Sequence, residues 1–334
     1  MSTWGYLSGL LRAGKVYALT DSDFVALAET PNAETLAKSL EDTVYGPLFQ
    51  GHTLKDFAEI FDNFYRTRFN EIKSMIPDPG IIKVHALKMD LNNLKLLYKA
   101  KSMQKEVVWD RLSDEGAIPA EKMYTIVEHE LYNELPKPVE QALIELKQIS
   151  GDDVRQIDFL IDRAFYIYRL DLLKEAFIQN AHDYSQILDL YRKEIDCENI
   201  KNIFRAKKMD LERDQILEII IPGGYISSEL LFEEAVLPAE DFIDFVRETA
   251  YAETLSEGID FWVNTRSCTI LEKQIDEFLI KIVRNFSFIG QGPAVVEEML
   301  RLLDIELKNL KLIIIGKLNS MSVESIKGRV RHVE

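Results

Sequence analysis

Six carboxylates are the first residues in this sequence that could do chemistry. They come as pairs on runs with helical periodicity: Glu59 and Asp62, Asp158 and Asp162, Glu272 and Asp276. Two acids one turn apart leave the same helix face, where one could act as general acid and the other as general base. Acids at i, i+3 or i, i+4 are far more often solvated or paired with Lys or Arg, and all three pairs are read that way.

Other reaction machinery is absent from the sequence. His129-Glu130 lacks the second His of a zinc-protease helix. No Cys/His spacing suits zinc. There is no P-loop and no Gly-x-Ser-x-Gly elbow, and Gly290-Gln291-Gly292 lacks the third Gly of a dinucleotide fingerprint. Asp152-Asp153-Val154-Arg155-Gln156 begins like the metal box of helical isoprenoid synthases and then departs from it. No catalytic residue, no metal site and no cofactor is expected.

The elements that carry the acids recur. The stretch Asp90-Leu91-Asn92-Asn93-Leu94-Lys95-Leu96-Leu97-Tyr98-Lys99-Ala100-Lys101 has a second copy, Asp196 to Lys207, and a third, Glu306 to Lys317. All three fit acid-x-x-Asn-(Leu/Ile)-Lys-x-(Leu/Ile)-(aromatic/Ile)-x-(Ala/Gly)-Lys without a gap. Their asparagines, Asn93, Asn199 and Asn309, are 106 and 110 residues apart, a period too long for the common solenoids. The second acid of each pair precedes its Asn by 31, 37 and 33 residues. A further marker, Gly116-Ala117-Ile118 and Gly224-Tyr225-Ile226, has a looser counterpart at Leu19-Thr20-Asp21. The chain therefore divides into three similar units, residues 1–107, 108–213 and 214–334, each of ordinary domain size.

Each unit reads as helix. Leu87, Leu91, Leu94 and Tyr98 fall at i, i+4, i+7 and i+11, and Ile157, Leu160, Ile161, Ala164, Phe165, Tyr168 and Leu172 form another helical stripe. Gly and Pro are sparse, at 15 and 10 of 334 residues, which argues against a turn-rich β protein. Helices are expected over about 54–75, 81–101, 120–134, 139–148, 228–236, 239–250 and 269–284. Thr20 or Ser22, and the Ser150-Gly151-Asp152 break, can cap helices. Ile219-Ile220-Ile221 looks strand-like alone and is read as a helix end. Ala181-His182-Asp183 is read as a turn. Leu312 to Ile315 is apolar nearly all round, so the third signature helix should be the most enclosed.

Composition narrows the class. A net charge of −16 opposes binding to nucleic acid and adsorption to anionic lipid. Two cysteines, Cys197 and Cys268, make no disulfide framework and fit a reducing compartment. Cys197 stands where the other copies have Leu91 and Leu307, and reads as core. No run reaches the ~20 apolar residues of a membrane span, and Arg12 and Lys15 interrupt the first residues, where a signal peptide would be apolar.

These residues resemble a known family. Ile289-Gly290-Gln291-Gly292-Pro293, then Glu306-Leu307-Lys308-Asn309-Leu310-Lys311-Leu312-Ile313 and Gly316-Lys317-Leu318-Asn319, look like the C subunit of the V/A-type rotary ATPases, the prokaryotic counterpart of the eukaryotic d subunit. Leu11-Arg12-Ala13, Leu19-Thr20 and Phe24 look like the family's start. Gly292 departs from a common Glu, Lys311 from a common Arg, and the stretch after Lys327 diverges. The resemblance spans essentially the whole chain. It implies an all-α fold of three helical units about a pseudo-threefold axis, shaped as a funnel. It implies a non-catalytic socket between the rotating central shaft and the membrane proteolipid ring, serving ATP-driven ion transport or ATP synthesis. Both would be partners, at the cytoplasmic face, with no membrane span in this chain. The competing reading is an all-helical adaptor unrelated to the ATPase. In either, Asn93, Lys95, Lys101, Asn199, Lys201, Lys207, Asn309, Lys311 and Lys317 are structural hardware or partner contacts.

Overall fold

The computed structural model describes residues 3–14, 18–148 and 154–333, and every regular element among them is helical. In chain order the α-helices are α1 (Trp4–Gly14), α2 (Asp21–Glu29), α3 (Ala33–Glu41), α4 (Phe57–Met75), α5 (Gly80–Ser102), α6 (Ala120–Glu128), α7 (Lys137–Gln148) and α8 (Val154–Gln179). They continue with α9 (Ala181–Lys208), α10 (Arg213–Ile219), α11 (Ser228–Ala235), α12 (Ala239–Glu248), α13 (Ala252–Thr265), α14 (Thr269–Arg284), α15 (Pro293–Leu318) and α16 (Val323–Lys327). The three signature stretches lie on α5, α9 and α15.

Local chemistry sets the boundaries. Thr20 closes a capping box with Asp23 at the start of α2, and Asn32, Asn180, Ser227 and Ser322 cap α3, α9, α11 and α16 through their side chains. The three signature helices end alike. Gln104, Asp210 and Ser320 take left-handed φ values of 52°, 50° and 54°, each eleven residues after its signature Asn. The next amide, of Lys105, Leu211 or Met321, then reaches back to the carbonyl of Ala100, Ala206 or Gly316. This is the Schellman ending, made here by residues other than glycine.

The chain forms two compact units, Met1–Pro77 with Ala252–Glu334, and Asp78–Tyr251. The second unit holds α5 to α12. Its core joins Leu87, Leu94 and Leu97 of α5 to Met123 and Ile126 of α6, Leu143 of α7, and Leu160, Ile161 and Phe165 of α8. The first unit holds α1 to α4 and α13 to α16, with α15 packed on α1 to α4 and on α14. Phe61, Phe69, Val295, Ile313 and Ile314 are fully enclosed there. Of 26 residues in α15, 16 are buried, against 15 of 28 in α9 and 10 of 23 in α5, although Ile315 itself is exposed.

Several sequence expectations shift. The helix expected over 120–134 stops at Glu128, because Glu130 turns left-handed at φ 58°, and Tyr132–Glu134 is a separate 3-10 turn. The Ile219 to Ile221 stretch ends α10 at Ile219, and Ile220 runs extended. Residues 181–183 are the first turn of α9 and not a loop, because Asn180 supplies the cap. Helix α13 is not expected from the sequence, since Gly258 masks its Leu255, Ile259, Trp262 stripe. Ser150-Gly151-Asp152 and Asp152-Asp153 lie outside the described residues.

Gly258 lets α13 cross α14 closely. A Cβ there would sit 2.6 Å from the Leu271 Cα and 2.8 Å from its nitrogen. The Gly258 amide donates to the Gln274 Oε1 at 2.8 Å. We expect Gly258→Ala to prise the two helices apart and cost about 1–3 kcal/mol, the usual range for overpacking. Urea unfolding against wild type measures it; an unchanged midpoint would refute the close crossing.

Candidate functional site

The signature asparagines make a polar arrangement that recurs in all three repeats. Asn93 Nδ2 donates to the Ser113 carbonyl at 2.7 Å, and its Oδ1 accepts from the Ser113 amide at 2.9 Å. Asn199 makes the same pair with Ile221 at 2.8 and 2.8 Å, and Asn309 with Arg331 at 2.8 and 2.9 Å. Their exposure is 0%, 1% and 0%. A carboxamide carries a donor and an acceptor in one plane, as a peptide does, so it can pair with a single residue's backbone as a neighbouring strand would. Buried backbone groups need partners, and an extended linker crossing a helix has none of its own. Leu offers neither group and Asp only the acceptor.

One turn earlier, the signature acid binds the chain just ahead of a short helix. Asp90 accepts from the amides of Ala117 and Ile118 at 3.0 and 3.1 Å, before α6. Asp196 accepts from Tyr225 and Ile226 at 3.0 and 3.1 Å, before α11, and from the Tyr251 hydroxyl at 2.6 Å. Glu306 accepts from Leu19 at 3.0 Å, before α2, and from the Tyr45 hydroxyl. Leu19, Ile118 and Ile226 all stand two residues before their helices. The marker glycines now have a reason: a Cβ on Gly116 or Gly224 would lie 2.1 or 2.0 Å from the Asp90 or Asp196 Oδ1. Burial pushes the Asp196 carboxyl up, while Tyr251 and the two amides pull it back. Burial also raises Glu306, against the Leu19 amide and Tyr45.

The last signature lysine holds the far end of the same short helix. Lys101 Nζ donates to the carbonyls of Val127 and Glu128 at 2.8 and 2.9 Å, at the close of α6. Lys207 donates to Leu237 past α11, and Lys317 to Thr30 past α2. Acid and lysine are eleven residues apart, about 16 Å along a helix, enough to span the eight or nine residues of the short helix between them. The carboxylate faces the free N–H end and the ammonium the free C=O end, so both complement the macrodipole. Burial lowers the Lys207 ammonium, against Asp241 and Glu240.

The middle lysines serve the paired acids. Lys95 meets Asp162 at 2.5 Å and Asp158 at 3.6 Å, and Lys99 meets Asp158 at 2.6 Å. Lys311 meets Asp62 at 2.7 Å. Asp276 takes Lys308 and, at 2.9 Å, Arg331. Lys201 instead bonds Glu198 on its own helix at 2.5 Å. Each acid pair thus has at least one member in an ion pair, and Glu59 is exposed. Burial raises Asp162 despite Lys95. Among the described residues no three His, Cys, Asp or Glu gather as a metal set, and no helix is long and apolar enough to cross a membrane.

The clamps have a direction that sequence reasoning missed. Helix α5 of the first repeat holds α6 of the second, α9 of the second holds α11 of the third, and α15 of the third holds α2 of the first. The signal was present: acid and following Gly marker are 26 and 28 residues apart, a near-constant offset across a unit boundary.

Two outcomes test the clamp. Asn199→Asp keeps the acceptor for the Ile221 amide but sets a carboxylate against its carbonyl, and should cost about 1–3 kcal/mol or more in urea unfolding, the scale of a buried carbonyl left without its donor. A loss under about 0.5 kcal/mol, the low end for a single hydrogen bond, would refute the pairing. Tyr251→Phe removes a donor that lowers the Asp196 carboxyl. The variant's folded carboxyl then titrates higher still above its unfolded value near 3.8, so its extra instability grows as pH rises through the wild-type folded value and fades below it. Melting temperatures from about pH 4 to 8 should diverge toward neutral pH; parallel curves would refute the bond.

Comparison with known proteins accords with this architecture. The family model described as ATP synthase (C/AC39) subunit matches residues 7–329. The C subunit of the A-type ATP synthase of Methanocaldococcus jannaschii is 25% identical, over 98% of this chain and 86% of the relative. The C subunit of the V-type sodium ATPase of Enterococcus hirae is 24% identical over 98% of each. The C subunit of the A-type ATP synthase of Archaeoglobus fulgidus is 26% identical over 98% of this chain and 95% of its own length. With the match covering all three signature helices, the chain belongs to the ATP synthase (C/AC39) subunit family, non-catalytic stalk subunits of rotary ATPases.

Proposed function

We propose that this protein is the socket that couples the rotating central shaft to the proteolipid ring of its ATPase, at the cytoplasmic face of the membrane. The three repeats stand about a pseudo-threefold axis as a funnel, one end receiving the shaft and the other seated on the ring. The observation that carries this reading is the order of the clamps, first to second, second to third, and third back to first. A part that passes torque must not peel open. Each grip fastens one repeat to the next, so a twisting load at that junction meets a buried amide pair and a short helix held at both ends. Close-packed helices add the stiffness that transmission needs. The nine signature residues act within the protein on this reading: Asn93, Asn199, Asn309, Lys101, Lys207 and Lys317 hold linkers and short helices, while Lys95, Lys201 and Lys311 balance acids. The family match over residues 7–329 removes the case for an unrelated adaptor.

Removing the protein separates hydrolysis from transport. In a strain lacking it, the catalytic head should still hydrolyse ATP, while inverted vesicles should take up no ion on ATP addition. Uptake at wild-type rates in that strain would end the socket reading.

A further inference from the structure

The net charge of −16 is not spread evenly. In each repeat a stretch of short helices and turns precedes the long helix that carries the paired acids. These three stretches, residues 21–56, 120–153 and 228–268, hold 25 acidic and 7 basic residues, a net of −18. The rest of the chain has 31 acidic and 33 basic residues, a net of +2. The third stretch is the most polarised, with 10 acidic and 2 basic.

Fold stability does not call for these acids where they stand. Glu233 and Glu234 lie in the last turn of α11, which has no basic residue, and Glu248 closes α12. A helix C-terminus carries partial negative charge and favours a cation. Helices α11 and α12 pack together and bury Leu231 and Ala235, and Phe242, Ile243 and Val246. The opposite face leaves Glu233, Asp244 and Glu248 exposed. Leu230 and Leu237, each 41% exposed, flank Glu233 at i−3 and i+4, so an apolar–acid–apolar stripe runs outward. Asp244 meets Arg247 of its own helix at 3.7 Å, an exposed pair, and the face still carries Glu233 and Glu248 beside Leu230 and Leu237. Large apolar side chains set among an excess of acids mark a docking face more than a solvated one.

We infer that the outer face of α11 and α12 docks a basic amphipathic helix of the central shaft, whose apolar side covers Leu230 and Leu237 while its Lys and Arg meet Glu233, Asp244 and Glu248. This rests on the socket reading above and adds which surface the shaft meets. The alternative occupant, the proteolipid ring, lies at a membrane whose anionic headgroups repel an acidic face. The near-neutral long helices are the part suited to that side.

The test uses the full-length protein with two separate binding partners: the purified catalytic head with its shaft, and membranes stripped of the head and of this protein. The triple variant Glu233→Gln, Asp244→Asn, Glu248→Gln touches no clamp residue, gives up only the exposed Asp244–Arg247 pair and removes two acids from helix C-termini, so it should melt close to wild type. Its affinity for the head should fall about tenfold at low salt and vary less steeply with salt, as for lost charge steering. Leu230→Ser should also weaken head binding, with the wild-type salt slope retained. Binding to stripped membranes should not change for either variant. Unaltered head affinity in both variants overturns the docking face and leaves the socket reading standing. Loss of membrane binding in place of head binding assigns the face to the ring and also overturns the proposal. If wild type binds neither partner, the socket reading falls and this inference falls with it.

Discussion

The structure depends on a peptide-like side chain buried where a backbone would otherwise go unpaired. An all-helical protein of this kind must pass extended linkers over helix surfaces, and each such crossing leaves an amide and a carbonyl away from water. Asn93, Asn199 and Asn309 answer that need with both groups in one plane. Fixing the linker fixes where the next short helix begins. Acid and lysine then have a target at a set distance, one turn before and two turns after the amide. The chemistry of the motif follows from this order: a planar donor–acceptor for a peptide, an anion for free N–H groups, a cation for free carbonyls.

The same constraint explains why sequence repeats and compact units do not coincide. The first repeat divides at Pro77, and α5 belongs with α6 to α12. The third divides at Tyr251, and α13 to α16 belong with α1 to α4. A signature helix that grips the following repeat is packed with that repeat, so the contacts that make a compact unit run across the sequence boundary.

How much of this was legible beforehand depends on range. Helical periodicity in Leu87, Leu91, Leu94 and Tyr98 reflects a nearby surface and could be read directly. The triplicate Asn and Lys could be found because identical jobs demand identical residue types. Their partners could not: Ser113, Ile221 and Arg331 share no side-chain chemistry, because only their backbones are used. Ile219 to Ile221 could be read as a helix end, and α10 does end there, but what takes up the chain beyond it could not be read for the same reason. Three branched residues read either as buried helix or as strand, and it is the Asn199 carboxamide 22 residues earlier that takes both backbone groups of Ile221, just past the extended Ile220. The paired acids were legible as ion-pair partners but not as partners of particular lysines, since those come from other repeats or distant helices.

The three clamps differ in one physical respect. From α5 to α6 and from α9 to α11 the gripped helix follows in the same stretch of chain, so a short tether keeps it at high effective concentration. Helix α2 and its gripping helix α15 are far apart in sequence, with no such tether, and the junction carries added contacts. Val333 donates its amide to the Asp21 carboxylate at 2.7 Å, and His332 Nδ1 lies 3.1 Å from the other oxygen. Arg284 binds the Val333 carbonyl, Glu277 accepts the His332 amide at 2.9 Å, and Lys327 pairs with Glu29 at 2.7 Å. Several of these are exposed and individually weak. Together they hold residues 329–333 where a covalent linker runs at the other two junctions, with Arg331 in the place of Ser113 and Ile221. An untethered interface must make up by contact the entropy that a tether removes, and these long-range polar bonds supply that contact at the third junction.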